Sequence, residues 1–366
     1  MQIYRAIGLM SGTSLDGIDA ALISTDGEGY ITRENFISIP YDDGLRGRIR
    51  TLLNLPTSER PRAQAVEREL TEAHAAAIRQ LLAQAGGSPG VDVIGFHGQT
   101  VAHDPAQGYT CQLGDGALLA QLTGIRTVND FRTNDVKSGG QGAPLAPVYH
   151  RALATTSDKP CCFLNIGGVA NVTYIGADGA LLAFDTGPGN ALIDDWMLTK
   201  AGQKFDKGGE AAASGKVDTA VLDDLMSHKF FAARPPKSLD RNDFVSPRWQ
   251  HLSLNDGAAT LTAFTVQSIL RSVSFLPQKP ARWIVSGGGR LNAEIMHGLR
   301  QGLGAPVNPI EDIGFNGDAV EAEAFAYMAV RSLRGLPISF PGTTGAPRDL
   351  TGGVTHEPQG KTAGAA

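Results

Sequence analysis

The sequence predicts an α/β protein folded as two lobes around a cleft, and three observations carry that prediction. Short apolar segments of strand character alternate with stretches of helical periodicity along the chain. A strand, glycine turn, strand unit occurs once in each half. The 366 residues exceed the roughly 250–300 at which a single hydrophobic core stops growing. The boundaries these patterns suggest assign residues 1–135 with 340–366 to an N-terminal lobe and residues 136–339 to a C-terminal lobe.

Taken in order, residues 4–10 and 18–23 are apolar runs on either side of a small-residue turn, and read as two strands meeting at a sheet edge. Residues 45–55 and 63–82 carry helical spacing, the second through Ala65, Leu70, Ala73, Ala77, Ile78 and Leu81, and Gly86-Gly87 ends that helix. Residues 91–95 form a buried strand that leads into His97-Gly98-Gln99-Thr100. The plan restarts with strands at 161–166 and 169–175 around Gly167-Gly168. A strand at 181–184 then opens into Asp185-Thr186-Gly187-Pro188-Gly189-Asn190 and a helix at 191–198. A helix at 258–273, a strand at 283–285 ending in Gly287-Gly288-Gly289, and a helix at 319–333 complete the series. The tail from Pro341 is rich in Gly, Thr, Pro and Ala, and residues 360–366 are expected to fray.

Composition narrows the partners. A net charge of -5, a pI near 5.9 and scattered Lys and Arg residues give no basic face for nucleic acid. Three cysteines, two of them adjacent, supply neither a disulfide framework nor a zinc spacing and fit a reducing cytoplasm. No apolar run approaches the ~20 residues that span a bilayer, and the first residues lack the basic and apolar regions of a signal peptide. A cytoplasmic protein without a membrane partner is expected. The 45 glycines are well above the ~7% average and gather between apolar segments, as working turns do.

Three glycine turns could hold a phosphate chain against backbone N–H groups. The first is Gly12-Thr13-Ser14-Leu15-Asp16-Gly17, continued by Ile18 and Asp19; taken alone it reads equally as an ordinary Gly/Ser hairpin turn. It is not a Walker A loop, and Gly360-Lys361-Thr362 lacks the preceding glycine that would make one. Asn165-Ile166-Gly167-Gly168-Val169-Ala170-Asn171 is the second, or else a glycine bulge. Gly287, Gly288 and Gly289 form the third, suited to a nucleoside lying on bare backbone; Asn292 breaks the G-x-G-x-x-G pattern. Asp185 at a strand's carboxyl end can take a proton from water or a hydroxyl, or can cap the next helix. Arg132 can fork onto a carboxylate or phosphate, or pair at the surface with Asp130 or Asp135. His97 and His103, six apart, do not have the spacing of a zinc pair, so His97 reads as a hydrogen-bonding residue.

Together these segments resemble the anhydro-N-acetylmuramic acid kinase family, of the superfamily that includes sugar kinases, acetate kinase, Hsp70 and actin. The likeness runs through GLMSGTSLDGIDAAL at 8–22, GFHGQT at 95–100, DFRTNDVKSGGQGAPL at 130–145 and LNIGGVANVT at 164–173. FDTGPGNAL at 184–192, FFAARPPKS at 230–238, GGGRLN at 287–292 and EAEAFAYMA at 321–329 continue it, so it covers about residues 6–353. The resemblance implies a ribonuclease H-like fold in each lobe and ATP, escorted by Mg²⁺ whose protein contacts are unassigned. It implies phosphate contacts from residues 12–19 and from Asn165, Gly167, Gly168, Asn171 and Gly187, with Gly287–Gly289 at the adenosine. It also implies Asp185 as catalytic base, Arg132 and Glu321 at the sugar with His97 nearby, 1,6-anhydro-N-acetylmuramic acid as substrate, and a homodimer. Two rivals stand beside it: a kinase for another anhydrosugar such as levoglucosan, and a non-catalytic nucleotide-switched protein.

Overall fold

The computed structural model describes residues 2–358 except Thr13, Leu55 and residues 88–89, 155–158, 240–243 and 245–248. The chain divides into two compact units, Met1–Thr155 with Ala319–Ala366, and Thr156–Asp318. The divisions expected at 135 and 340 therefore move. The segment before residue 155 stays with the first unit, and the helix Val320–Leu333 returns to it because it packs on that unit's sheet. The strands in chain order are β1 (Tyr4–Ser11), β2 (Gly17–Thr25), β3 (Ile31–Pro40), β4 (Val93–Asp104), β5 (Tyr109–Leu113) and β6 (Thr127–Asn129). They continue with β7 (Cys161–Ile166), β8 (Val169–Ile175), β9 (Leu181–Pro188), β10 (Arg282–Ser286), β11 (Val307–Pro309) and β12 (Val354–His356).

In the first unit the sheet runs β12-β6-β4-β1-β2-β3, with β5 added to β4. β1 and β3 lie antiparallel to β2, whereas β1, β4 and β6 are parallel neighbours. The second unit repeats this order as β9-β8-β7-β10-β11, with β8 the antiparallel member. Third, second, first, fourth, fifth with only the second strand reversed is the ribonuclease H-like arrangement. Both units have it.

The sequence dictates how each sheet is covered. Ile7, Leu9, Leu22 and Phe96 pack with Leu70, Ile78 and Leu81 of the helix Gln64–Gln84 in one apolar cluster. Strand alternation turns Gly8 and Gly95 the other way, and the two glycines stand opposite each other in the β1–β4 register. A Cβ on Gly8 would lie 1.8 Å from the Ala322 carbonyl oxygen, and one on Gly95 would lie 2.0 Å from that of Phe325. The paired glycines form a trough in which the backbone of Val320–Leu333 rests directly on the sheet, and the alanines of that helix keep its own surface low. This seating fixes Glu321 in the helix's first turn. In the second unit Phe264, Leu261 and Ile269 of the helix Leu254–Ser272 join Phe184, Val172 and Trp283 in a separate core.

Candidate active site

The turn after β1 is tied from behind. Gln99 Nε2 donates to the Gly12 carbonyl at 3.0 Å. Arg46, from the helix Asp43–Arg50, donates Nε to the Leu15 carbonyl at 2.9 Å and Nη2 to that of Asp16 at 3.2 Å. The Tyr41 N–H also reaches the Asp16 carbonyl. Leu15 holds φ at 58°, an uncommon place for a leucine, and its buried side chain anchors it there. With the carbonyls turned inward, the other side of the turn offers Gly12, whose nearest neighbour would be Ser14 Oγ at 3.5 Å, and the exposed Ser14 itself. Thr13 lies outside the described residues. Gly17 is glycine for another reason: a Cβ there would meet the Ile39 carbonyl oxygen at 2.1 Å. Ile18 points into the core.

His97 lies within β4, because the strand expected to stop at Gly95 runs on to Asp104. Its ring is buried, and Nε2 accepts from Arg132 Nε at 3.1 Å and Nη2 at 3.0 Å. A ring nitrogen that accepts carries no proton, so Nδ1 holds the hydrogen of a neutral imidazole. Burial, and then the Arg132 charge, push the His97 pKa well below its ordinary value. Arg132 Nη1 donates to the Gly142 carbonyl at 2.7 Å, and burial lowers the guanidinium pKa to about 10 against the pull of Glu321 and Asp135. The surface ion pair open to Arg132 from sequence is not formed with Asp135, which instead accepts from the Gly142 N–H at 2.6 Å and Thr344 Oγ1 at 2.6 Å. Asp135 thereby folds the glycine loop whose carbonyl holds Arg132. Desolvation raises the Glu321 pKa, Arg132 opposes, and Asp19 adds to the rise. Arg132, Glu321 and Asp19 thus lie close enough to feel one another's charge. His97 also forms part of the wall of a cavity of about 390 Å³, with Gln112, Asn129, Asp130 and His356.

In the second unit three glycine segments gather at the carboxyl ends of β7 and β10. A Cβ on Gly189 would lie 2.2 Å from the Gly167 carbonyl oxygen; one on Gly287, at φ 75°, 2.5 Å from Asn165 Oδ1; and one on Gly289, 2.3 Å from Ile166 Cγ2. Asn190 N donates to the Gly167 carbonyl at 2.7 Å and its Nδ2 to that of Ile166 at 3.0 Å. These glycines let the backbones touch each other. Gly167, Gly168 and Gly288 differ: nothing lies within 3.4 Å of their missing side chains, so their faces are open to a ligand. Asn171 stands opposite Asn165 across β7–β8. Gly187 serves packing, since a Cβ there would strike Ser268 at 2.5 Å. Asn292, which spoils the dinucleotide pattern, caps the helix Ala293–Gly302 by accepting from the N–H groups of Glu294 and Ile295.

Asp185 lies inside β9, and the cap position of the following helix belongs to Asn190, so the capping alternative falls away. Its Oδ2 accepts from the Leu239 N–H at 2.8 Å, and its own N–H donates to the Lys237 carbonyl at 3.0 Å. Burial raises the carboxyl pKa to about 6, against the Leu239 hydrogen bond and the Lys237 charge. Lys237 went unselected in the sequence, although it stands in the FFAARPPKS motif. Its ammonium donates to the Phe230 carbonyl at 3.1 Å and lies 4.3, 4.5 and 6.0 Å from the ring centres of Phe230, Phe275 and Phe184. Burial lowers its pKa to about 8, with Asp185 acting against the fall.

A family profile described as anhydro-N-acetylmuramic acid kinase matches residues 4–358. Relatives of that name include one from Rhizorhabdus wittichii, 55% identical over 360 residues, covering 96% of this chain and 99% of that protein. Another, from Rhodospirillum rubrum, is 51% identical over 362 residues, covering 98% and 96%. Among solved structures, component A of the (R)-2-hydroxyglutaryl-CoA dehydratase from Acidaminococcus fermentans is similar with a TM-score of 0.48 at 12% identity, covering 90% of this chain and 99% of that one. That likeness is too loose to bear on function.

Proposed function

The chain belongs to the anhydro-N-acetylmuramic acid kinase family, and we propose that it couples hydrolytic opening of the 1,6-anhydro ring to phosphorylation of O6 by ATP. Asp185 removes a proton from water as the water oxygen bonds to C1 of 1,6-anhydro-N-acetylmuramic acid. The C1–O6 bond breaks, O6 takes the γ-phosphoryl group, and ADP leaves with N-acetylmuramic acid 6-phosphate as the other product. Charge that develops on O6 is captured by phosphorus, so the step needs no separate acid. The observation that carries this reading is the state of Asp185: a carboxyl with a pKa of about 6 is ionised near neutral pH yet basic enough to accept a proton, and Leu239 fixes one of its oxygens.

The turn at 12–16 and the open faces of Gly167 and Gly168 receive phosphate, and Gly288 receives the nucleoside. Arg132, held by His97 and Gly142, faces the lactyl carboxylate, and Glu321 accepts sugar hydroxyls. Mg²⁺ accompanies the nucleotide. The described residues contain no group of three or more metal-binding side chains, which fits an ion held chiefly by phosphate and water with one or two carboxylates; Asp19 is the carboxylate placed for it. Bound there, the ion would offset phosphate charge. No helix of the described residues is long and apolar enough to cross a membrane, and the demand for ATP argues for work in the cytoplasm.

Turnover in ¹⁸O-water tests the coupling. Mass spectrometry should find one label at C1 and phosphate on O6 of the same product. An unlabelled phosphorylated sugar, or equal turnover of levoglucosan, which lacks the lactyl and N-acetyl groups, overturns the reading.

A further inference from the structure

We propose that Lys237 is a positioning residue for Asp185: it pins the segment 237–239 against the carboxylate and supplies the positive charge opposite it. The proposal deepens the reading of Asp185 as the base and rests on it. The geometry is a short clamp. Asp185 gives its N–H to the Lys237 carbonyl and receives the Leu239 N–H on Oδ2, so two bonds from residues two apart fix both the backbone and the side chain of the base. That segment needs an anchor of its own, and the Lys237 side chain provides it. The ammonium lies between the rings of Phe230 and Phe275, with Phe184 further off, and donates to the Phe230 carbonyl. Ring faces attract a cation through their quadrupole, so the box retains a charge that half-burial would otherwise expel. Phe184 directly precedes Asp185 in β9, which makes one wall of the box continuous with the strand that carries the base.

The charged groups acting on this pair are few among the described residues. Asp185 favours the protonated amine, and Arg271, from the helix Leu254–Ser272, disfavours it. Lys237, with a pKa of about 8, loses its proton only where Asp185 is already ionised. Its charge is therefore read on the acid limb of the pH profile and nowhere else.

The test is kcat/KM against pH for the wild type, Lys237→Met and Lys237→Arg, with Asp185→Asn alongside. Methionine keeps an unbranched apolar stem in the ring box and removes the charge. Its acid limb should move up by about one pH unit, the size expected of an opposite charge nearby, and arginine should bring it back toward the wild type. An acid limb in Lys237→Met that coincides with the wild type overturns the proposal. If Lys237→Met does not melt cooperatively, the side-chain ¹⁵N resonance of Lys237 in lysine-labelled wild type decides. It should show an inflection at the midpoint of the acid limb that disappears in Asp185→Asn, and its absence from the wild type also overturns the proposal. An Asp185→Asn variant with full turnover would instead sink the assignment of the base, a result distinguishable from either.

Discussion

Replacing Asp185 with asparagine should abolish turnover and at the same time make the protein more stable, in a pH-dependent way. The folded pKa is raised from 3.8 to about 6. Below 3.8 the carboxyl is protonated in both folded and unfolded chains and costs nothing. Between 3.8 and 6 the folded state keeps a proton the unfolded state has shed, so stability falls as pH rises, and above 6 the whole penalty is present. A displacement of about two pH units at about 1.4 kcal/mol each sets a ceiling near 3 kcal/mol. Partial exposure of Asp185 reduces this to roughly 1–2 kcal/mol. Asparagine retains an oxygen to accept the Leu239 N–H and has no charge to desolvate. For a unit the size of Thr156–Asp318, roughly 2–4 °C per kcal/mol translates into a rise in Tm of about 2–8 °C at pH 7.5. Calorimetry at pH 7.5 and pH 4, with ADP release as the activity assay, measures both effects. A Tm at pH 7.5 equal to or below the wild type, or a gain undiminished at pH 4, refutes the reasoning.

The trough under Val320–Leu333 makes a second prediction. Gly95→Ala places a methyl group 2.0 Å from a backbone oxygen, and lifting the helix should cost roughly 1–3 kcal/mol, read as a lower urea midpoint. Gly47→Ala, in the interior of Asp43–Arg50 with nothing within 4 Å, should be neutral or stabilising by up to about 1 kcal/mol; equal effects of the two would refute the trough. Arg132→Ala should lower kcat/KM for 1,6-anhydro-N-acetylmuramic acid by about 10- to 100-fold, as loss of a charged hydrogen bond implies. Turnover of levoglucosan should change little, and a parallel loss on both sugars would move Arg132 from recognition to structure.

Elements with uniform apolar character were legible in the sequence. Residues 161–166 and 169–175 were read with the bounds they have, because both strands are almost wholly buried and Gly167-Gly168 marks the turn. β3, with the charged Arg33 and Glu34 and a mostly exposed face at the sheet edge, offered no such run, and the three-residue strands β6, β11 and β12 are too short to carry a period. His97 was expected after a strand and lies inside one, since glycine at 98 is as compatible with a bulge in β4 as with a turn. Within the site, Asp185 and Arg132 were found through their chemistry. What holds them was not: His97 meets Arg132 across 35 positions, and the rings around Lys237 come from residues 184, 230 and 275. Gly8 and Gly95 are single glycines in apolar runs, and only the β1–β4 register reveals them as a pair.

The seat of Val320–Leu333 on those two glycines also orders events during synthesis. The helix follows Thr156–Asp318, an unbroken stretch that forms the second unit by itself. At roughly 5–20 residues per second, the ribosome needs about ten to thirty seconds to make that stretch, and throughout it the first sheet waits with one face uncovered. The later unit can close first, and the earlier one is finished by a helix made last. A nascent chain stalled before residue 320 should carry a protease-resistant second unit and a first unit that binds chaperones through the bare strip along Gly8 and Gly95.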